Sequence, residues 1–397
     1  MARSTDAVLD GLLELIDGEL AEAIALRHRL HEEPELAHQE LRTATIVDEA
    51  LPAGVDTTTV AGTGRLARVG SSRSAALAIR AELDGLPISE NTGATFSARG
   101  DCMHACGHDV HMAALVALVR AARTLGDELP APLLAIFQPS EEAFPSGAEQ
   151  LAREGALAPH EPAAVLAAHV HPELPWGTIG LDVGAVNASS DSVEILVEGE
   201  PSHGAYPHHG RDPVLAIAQI VVSLHALAGR RIDPLGPTVL NVGVLEGGGA
   251  ENVIPARARA RATIRALRAE DRQALRELVV EVVTGVASAH GCRGSTELIE
   301  GEPALENDAR IVAGARELLA RGQLQLAPQW RSCGSDDFSF YSEIAPLAMA
   351  FVGLDGAPGF ASRPLHHPEL LVPDEAVGAV ARTQAVLYAA AAAALVA

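Results

Sequence analysis

The sequence predicts an α/β domain into which a smaller ferredoxin-like α+β domain is inserted, and three observations carry that reading. Segments at 76–81 (ALAIRA), 132–137 (PLLAIF) and 163–168 (AAVLAA) are apolar enough, Arg80 aside, for strands in the middle of a parallel sheet. From about Asn187 the pattern becomes alternating strands and two helices in the order β-α-β-β-α-β, a split motif. After residue 300 the α/β grammar returns. The expected division is therefore 1–186 with 301–397 for the larger domain and 187–300 for the insertion.

Taken in order, residues 5–31 have Leu9, Leu12, Leu13, Ile16, Leu20, Ile24 and Leu26 near a 3.6-residue period, with Thr5 or Asp6 able to cap a helix that stops before Pro34. The strand at 76–81 runs into Glu82, Leu83, Asp84, Gly85, Leu86 and Pro87, where Asp84 either faces a site or caps the loop. A helix from about His108 to Leu125 carries almost no charge, as suits burial against a sheet. The strand at 132–137 leads to Gln138, Pro139, Ser140, Glu141 and Glu142, and the strand at 163–168 to His169, Val170 and His171. Each of these segments places polar groups where a strand stops, which is where open α/β sheets put their sites.

In the insertion, 192–199, 238–248 and 256–265 alternate, helices cover Pro213 to Leu227 and 270–289, and a short strand near 295–300 completes the motif. The row Arg257, Arg259, Arg261 reads most simply as a solvated strand face. A helix near 308–321, a strand at 347–353 and a terminal helix from Asp374 close the larger domain.

Composition limits the function. With 52 acidic against 29 basic residues the formal charge is -23, which argues against nucleic acid or an anionic membrane surface as partner. The N-terminus shows no basic segment followed by an apolar core, and the alanine-rich run Thr383–Ala397 is too short for a membrane span. Four cysteines make no disulfide framework, so the expectation is a cytoplasmic protein whose thiols are available as ligands.

The densest chemistry lies at 102–112, CMHACGHDVHM. Collected by type, Cys106, His108, Glu142, His169 and His366 are more donors than one tetrahedral ion needs, and two divalent ions fit better. A two-metal hydrolytic site also needs a base, and adjacent Glu141 and Glu142 can divide the tasks of base and ligand; spacing does not say which does which.

The motifs MHACGHDVH, QPSEE, AHVHPELPWGTI, SHGAYPHHGRDP, NVIP and PLHHP, in this order from residue 103 to 368, resemble the metal-dependent amidohydrolases of the M20 peptidase family. The branch they resemble holds hippurate hydrolases, N-acyl-amino-acid amidohydrolases and auxin-conjugate hydrolases. The resemblance implies a zinc-exopeptidase-like catalytic domain with two ions (zinc, manganese or cobalt), an inserted lid that mediates homodimerisation, and aminoacylase-like cleavage of N-acyl-L-amino acids. It puts metal on Cys106, His108, Glu142, His169 and His366 and makes Glu141 the general base. It gives His203 a role in the partner's active site at the oxyanion, and assigns Asn252 and Arg265 to the substrate carboxylate. His104 and His111 are left as structural neighbours of the metals.

There are departures. Glu82 stands where relatives have aspartate, Ala143-Phe144-Pro145-Ser146-Gly147 replaces a glycine-rich segment and can reshape the acyl pocket, and Pro201-Ser202 replaces two glycines before His203. Ser335-Asp336-Asp337-Phe338 matches a family Ser-Glu-Asp-Phe, yet also reads as a capped helix start. The alternatives are a dipeptidase or a deacetylase of an N-acetylated diamino acid using the same site, and a non-catalytic metal-binding scaffold, which has no use for Glu141.

Overall fold

The computed structural model describes Thr5–Ser71 and Ser74–Val396. The residues before Thr5, which enter the reading of the N-terminus, and Ala397 at the end of the alanine-rich run lie outside the described residues. The chain forms two compact units: Met1–Gly184 with Glu306–Trp330 and Asp337–Ala397, and Ala185–Leu305 with Arg331–Asp336.

The first unit opens with α1 (Thr5–Glu32), α2 (Leu41–Ala50), β1 (Thr57–Val60), β2 (Gly64–Val69), β3 (Leu77–Glu82), α3 (His108–Leu125), β4 (Leu133–Gln138), α4 (Gly147–Arg153), β5 (Ala164–Pro175) and β6 (Thr178–Gly180). The second unit supplies β7 (Ser189–Glu198), α5 (Pro213–Arg231), β8 (Thr238–Gly247), β9 (Arg257–Ala266), α6 (Ala269–Ala289) and β10 (Arg293–Glu300). The chain then returns through α7 (Ala309–Leu318), β11 (Gln325–Leu326), β12 (Leu347–Asp355) and α8 (Glu375–Leu395).

The large sheet has the order β1-β2-β4-β3-β5-β12-β6-β11, with β4, β3, β5 and β12 parallel at its centre. β3 and β4 are buried at every residue, which explains their mostly apolar sequences and leaves Arg80, Glu82 and Gln138 as buried polar groups on them. α1, α3 and α8 pack on one another in the core of this unit. α8 is alanine-rich because close approach demands it: a Cβ on Gly314 of α7 would already lie 3.4 Å from Ala390. The run expected to be a closing helix is one, and most of it is buried.

One boundary differs from expectation. The third central strand does not stop at 168 but runs to Pro175, because Phe351, Val352 and Gly353 of β12 go on pairing with His169, Val170 and His171. His169 and His171 therefore lie within a strand, two apart and on one face.

The second unit has the β-α-β-β-α-β order, folded as an antiparallel sheet β8-β9-β7-β10. Val193, Ile195, Val197, Ala258, Ala260, Ala262 and Ile264 alternate onto the face covered by α5 and α6, and Arg257, Arg259 and Arg261 are exposed on the other. The unit is pinned at one end by Asp191, whose carboxylate accepts from Arg272 Nε (3.0 Å) and from Arg276 Nε and Nη2 (2.8 and 2.9 Å).

Burial alone would raise the Asp191 carboxyl, but the two guanidiniums bring it down to about 2. A group depressed in this way adds stability above its unfolded pKa and loses it as pH falls through the folded one. Asp191→Asn is expected to destabilise the protein by about 1–2 kcal/mol at pH 7, after discounting for the partial exposure of the arginines. Denaturant melts at pH 7 and at pH 2–3 should show the difference between variant and parent shrinking on acidification.

Candidate metal centre

The cluster is built at the carboxyl ends of the central strands. Cys106 lies in a buried turn closed by Gly107, which adopts φ +88° and caps α3. Only glycine serves there: a Cβ would come within 2.5 Å of Val170 Cγ2, in addition to the left-handed conformation. The turn starts α3 at His108, so one tight bend fixes both donors.

The histidines are aimed by their second nitrogens. His108 Nδ1 donates to the Asp84 backbone carbonyl (2.8 Å) and His169 Nδ1 to the Val170 carbonyl (2.7 Å), which turns each Nε2 toward the cluster as the atom that can ligate. His108 Nε2 lies 3.8 Å from Glu141 Oε2 and 3.9 Å from Glu142 Oε1, and His169 Nε2 lies 3.5 Å from Cys106 Sγ. His366 enters from a loop at φ +64°, its backbone N–H on the Ala105 carbonyl and its Nε2 3.2 Å from Glu142 Oε1. Neighbouring His367 instead accepts the Glu369 N–H at Nδ1.

Six of the residues singled out in the sequence, Cys106, His108, Glu141, Glu142, His169 and His366, thus come together. Donor atoms of Cys106, His108 and Glu142 all lie within 4.8 Å of one another, as do those of Glu82, His108, His111 and His169. His111 sits among the donors but has both nitrogens in use, Nδ1 donating to Glu82 (2.8 Å) and Nε2 accepting the Val170 N–H (3.0 Å). His171 stacks edge-on against Trp330, with ring centroids 4.5 Å apart. His104 is buried, and that burial lowers it to about 4, so it is a neutral ring at pH 7.

The protein's own charges make this a place for a cation. Burial, and then the carboxylates of Glu142, Glu141 and Glu82, push the Cys106 thiol well above its usual range. Burial would lower His108, but the Glu82 carboxylate and then Asp84 raise it to about 10. A thiol and an imidazolium must each lose a proton to ligate, and a divalent ion among these carboxylates supplies the charge that drives both off. Among the described residues, His108 Nε2 and Asp84 Oδ1 are buried with no hydrogen-bond partner, a costly arrangement that an ion would satisfy. A thiolate, three imidazoles and carboxylates suit two ions of borderline softness.

Two acids whose place the sequence left open are structural keys. Asp84 is fully buried, holding His108 through its carbonyl and the Glu142 N–H through Oδ2 (2.9 Å). Glu82, despite its extra methylene, joins Arg80 to His111. The signal was present in the sequence as two acids at the end of a buried strand.

The remaining candidates lie in the second unit. His203 pairs with Val253 in a two-residue ladder, and its Nδ1 accepts the Ala205 N–H (3.0 Å) on an exposed turn. Asn252 is beside it, its carbonyl accepting the Gly204 N–H (2.7 Å). Arg265, unlike the three arginines before it, is half-buried and donates to the Cys333 carbonyl (3.2 Å) and Ser335 Oγ (3.3 Å). Ser335 is thus an arginine partner.

The description of peptidase family M20/M25/M40 matches residues 78–391. The chain belongs to peptidase family M20. Its relatives in the family include an N-acetyl-L-cysteine deacetylase of Bacillus subtilis, 32% identical over 89% of this chain and 84% of that protein. An N-acetyldiaminopimelate deacetylase of the same organism is 33% identical over 90% of this chain and 94% of that one. Among solved structures, a dinuclear metal-binding M20 peptidase of Bacillus subtilis superposes with a TM-score of 0.82 at 30% identity, covering 94% of this chain and 98% of that one. This M20 protein is a metal-dependent amidohydrolase, and its donor set fits two metal ions.

Cys106→Ser is expected to lower the metal content measured by inductively coupled plasma mass spectrometry. His171→Ala, which removes a ring already engaged with Trp330, should leave that content unchanged.

Proposed function

We propose that this amidohydrolase removes the acyl group from N-acyl amino acids, with N-acetyl amino acids as the first substrates, and that Glu141 is its general base. The observation that carries the assignment is the division of labour at the Glu pair. Glu142 shares donor range with Cys106 and His108 and faces His366 at 3.2 Å, whereas Glu141 lies 3.8 Å from His108 Nε2 and outside that donor group. The names of the relatives favour the deacetylase reading over the broader acyl range, because both proteins compared above are deacetylases of N-acetyl amino acids.

In this reading Cys106, His108, Glu142, His169 and His366 hold the ions. Two divalent ions there supply Lewis acidity at the amide carbonyl and a more acidic water. Glu141 takes a proton as water adds to the acyl carbon, then returns it to the amide nitrogen as the C–N bond breaks, giving a carboxylic acid and a free amino acid. His203, with Nδ1 occupied as an acceptor, presents Nε2–H as a donor suited to an oxyanion. Arg265 offers a guanidinium for the substrate carboxylate, with Asn252 as a second polar contact.

Glu141→Gln should retain metal while kcat for release of free amino acid falls by roughly 10²- to 10⁴-fold. Full activity in that variant would refute the assignment of the base.

We also propose a homodimer formed through the second unit. α5 is apolar enough to pass for a membrane span, yet only 28% of its apolar window is buried, and Leu215 and Val222 project from it into solvent. β8 is an edge strand of the sheet beside it. An exposed apolar helix next to an unpaired edge is what a second copy covers. Leu215→Asp with Val222→Asp should shift the mass measured by light scattering from dimer to monomer.

A further inference from the structure

Arg265 differs from the arginines before it in what surrounds it within the second unit. It lies opposite Ser190 of β7, and the Ser190 N–H donates to the Glu302 carbonyl (3.0 Å). Gly301 permits that approach: a Cβ there would meet the Ser190 carbonyl oxygen at 2.3 Å, and its N–H donates to Asp191 (3.2 Å). The Ala188 N–H, just before β7, is shared by the carbonyls of Ser332 (3.1 Å) and Gly334 (3.0 Å). Two segments remote in sequence are thus laid along the start of β7, one bringing Glu302 and the other Ser335 and Asp336 to the neighbourhood of Arg265.

The guanidinium is only partly used. Among the described residues, both hydrogen bonds of Arg265 leave from Nη1, to the Cys333 carbonyl and Ser335 Oγ, so the edge formed by Nε and Nη2 stays available to a carboxylate. Glu302 is half-buried beside it. Burial raises the Glu302 carboxyl; its own backbone N–H, the Arg265 charge and the Ser335 hydroxyl oppose that rise, and Asp336 adds to it. The group therefore sets one cation among two carboxylates. Arg272 and Arg276, other arginines at this end of the unit, are committed to Asp191.

Charge balance then decides what kind of substrate the group tolerates. A first carboxylate on the open edge of Arg265 is matched by the guanidinium. A second, held a short aliphatic spacer away, is left facing Glu302 and Asp336, in a half-buried setting where solvent and salt screen little of the repulsion. We infer that Glu302 is a specificity-determining residue that rejects N-acyl amino acids with acidic side chains, confining the enzyme to side chains without net negative charge. This rests on the assignment of Arg265 to the substrate carboxylate and adds to it a filter on the leaving amino acid.

N-acetyl-L-glutamine and N-acetyl-L-glutamate have nearly the same shape and differ in charge, and Glu302→Gln makes the same change on the protein. The test compares kcat/KM for both substrates at pH 8 in the metal-loaded parent, Glu302→Gln, Arg265→Met and Glu277→Gln, the last on an exposed position of α6, with metal content and melting temperature as controls. The parent should prefer the glutamine derivative. Glu302→Gln should narrow the preference about 10-fold, chiefly by gain on the glutamate derivative, the scale of one like-charge repulsion across several ångströms of half-buried protein. Glu277→Gln should leave it as it is. A parent that does not discriminate, a ratio unchanged in Glu302→Gln, an equal loss on both substrates, or the same narrowing in Glu277→Gln would overturn the filter and leave the amidohydrolase intact. If Arg265→Met keeps the parent's kcat/KM on the glutamine derivative, the carboxylate assignment falls and the filter with it. A parent that hydrolyses neither derivative would overturn the N-acetyl amino acid reading as well.

Discussion

The guanidinium of Arg80 is the hinge on which the metal centre depends. It is fully buried on β3, between the carboxylates of Glu82 and Asp337, and its Nε donates to Gln138 Oε1 (2.9 Å) at the end of β4. Each partner passes the constraint on: Glu82 orients His111, which holds the Val170 N–H beside His169; Asp337 accepts from Gln138, Ser146 and the Ala148 N–H. A buried ion pair is poor evidence of net stability, but removing one partner strands the other at a cost of roughly 3–5 kcal/mol. Its value here is positional, since the two strand ends that carry the acids cannot drift apart.

A second network does the same for the helices. Arg27 of α1 donates through Nε to Asp109 (2.7 Å), through Nη1 to Asp374 (2.6 Å) and through Nη2 to the Val372 carbonyl (2.9 Å), and His31 meets Asp109 at 2.9 Å. Asp109 follows His108, so α1 and the start of α8 hold the first turn of α3 in place. The cluster therefore has two rigid sides, the sheet ends on one and a helix terminus on the other, and its donors are pre-organised before any ion arrives.

What could be read in the sequence and what could not follow one physical division. Strand interiors, the uncharged α3, the alternation of the insertion and the chemical types of the donors are local properties, written in periodicity and composition. Networks such as Arg27–Asp109–Asp374 and Arg80–Glu82–Asp337 join residues distant in the chain, and each member alone looks like a surface charge. Non-glycine residues in left-handed conformations, Ser140 and His366 among them, carry no local signature, because long-range hydrogen bonds impose them. The extension of β5 past His169 was hidden for a related reason: its pairing strand is β12, supplied from the far side of the insertion. Asp84 was visible as an acid at a strand end, but only its contacts separate a site residue from a loop cap.

The position of His366 bears on how the protein is made. Cys106, His108, Glu142 and His169 all precede the second unit in the chain, whereas His366 follows it and sits just before α8, whose buried length completes the core. A nascent chain halted after the second unit would hold a thiol, two imidazoles and several carboxylates without the last ring or the helix that seals them in. Such a fragment would lack the ring that faces Glu142 and the helix that fills the core, so the cluster is complete only once the C-terminal stretch has docked.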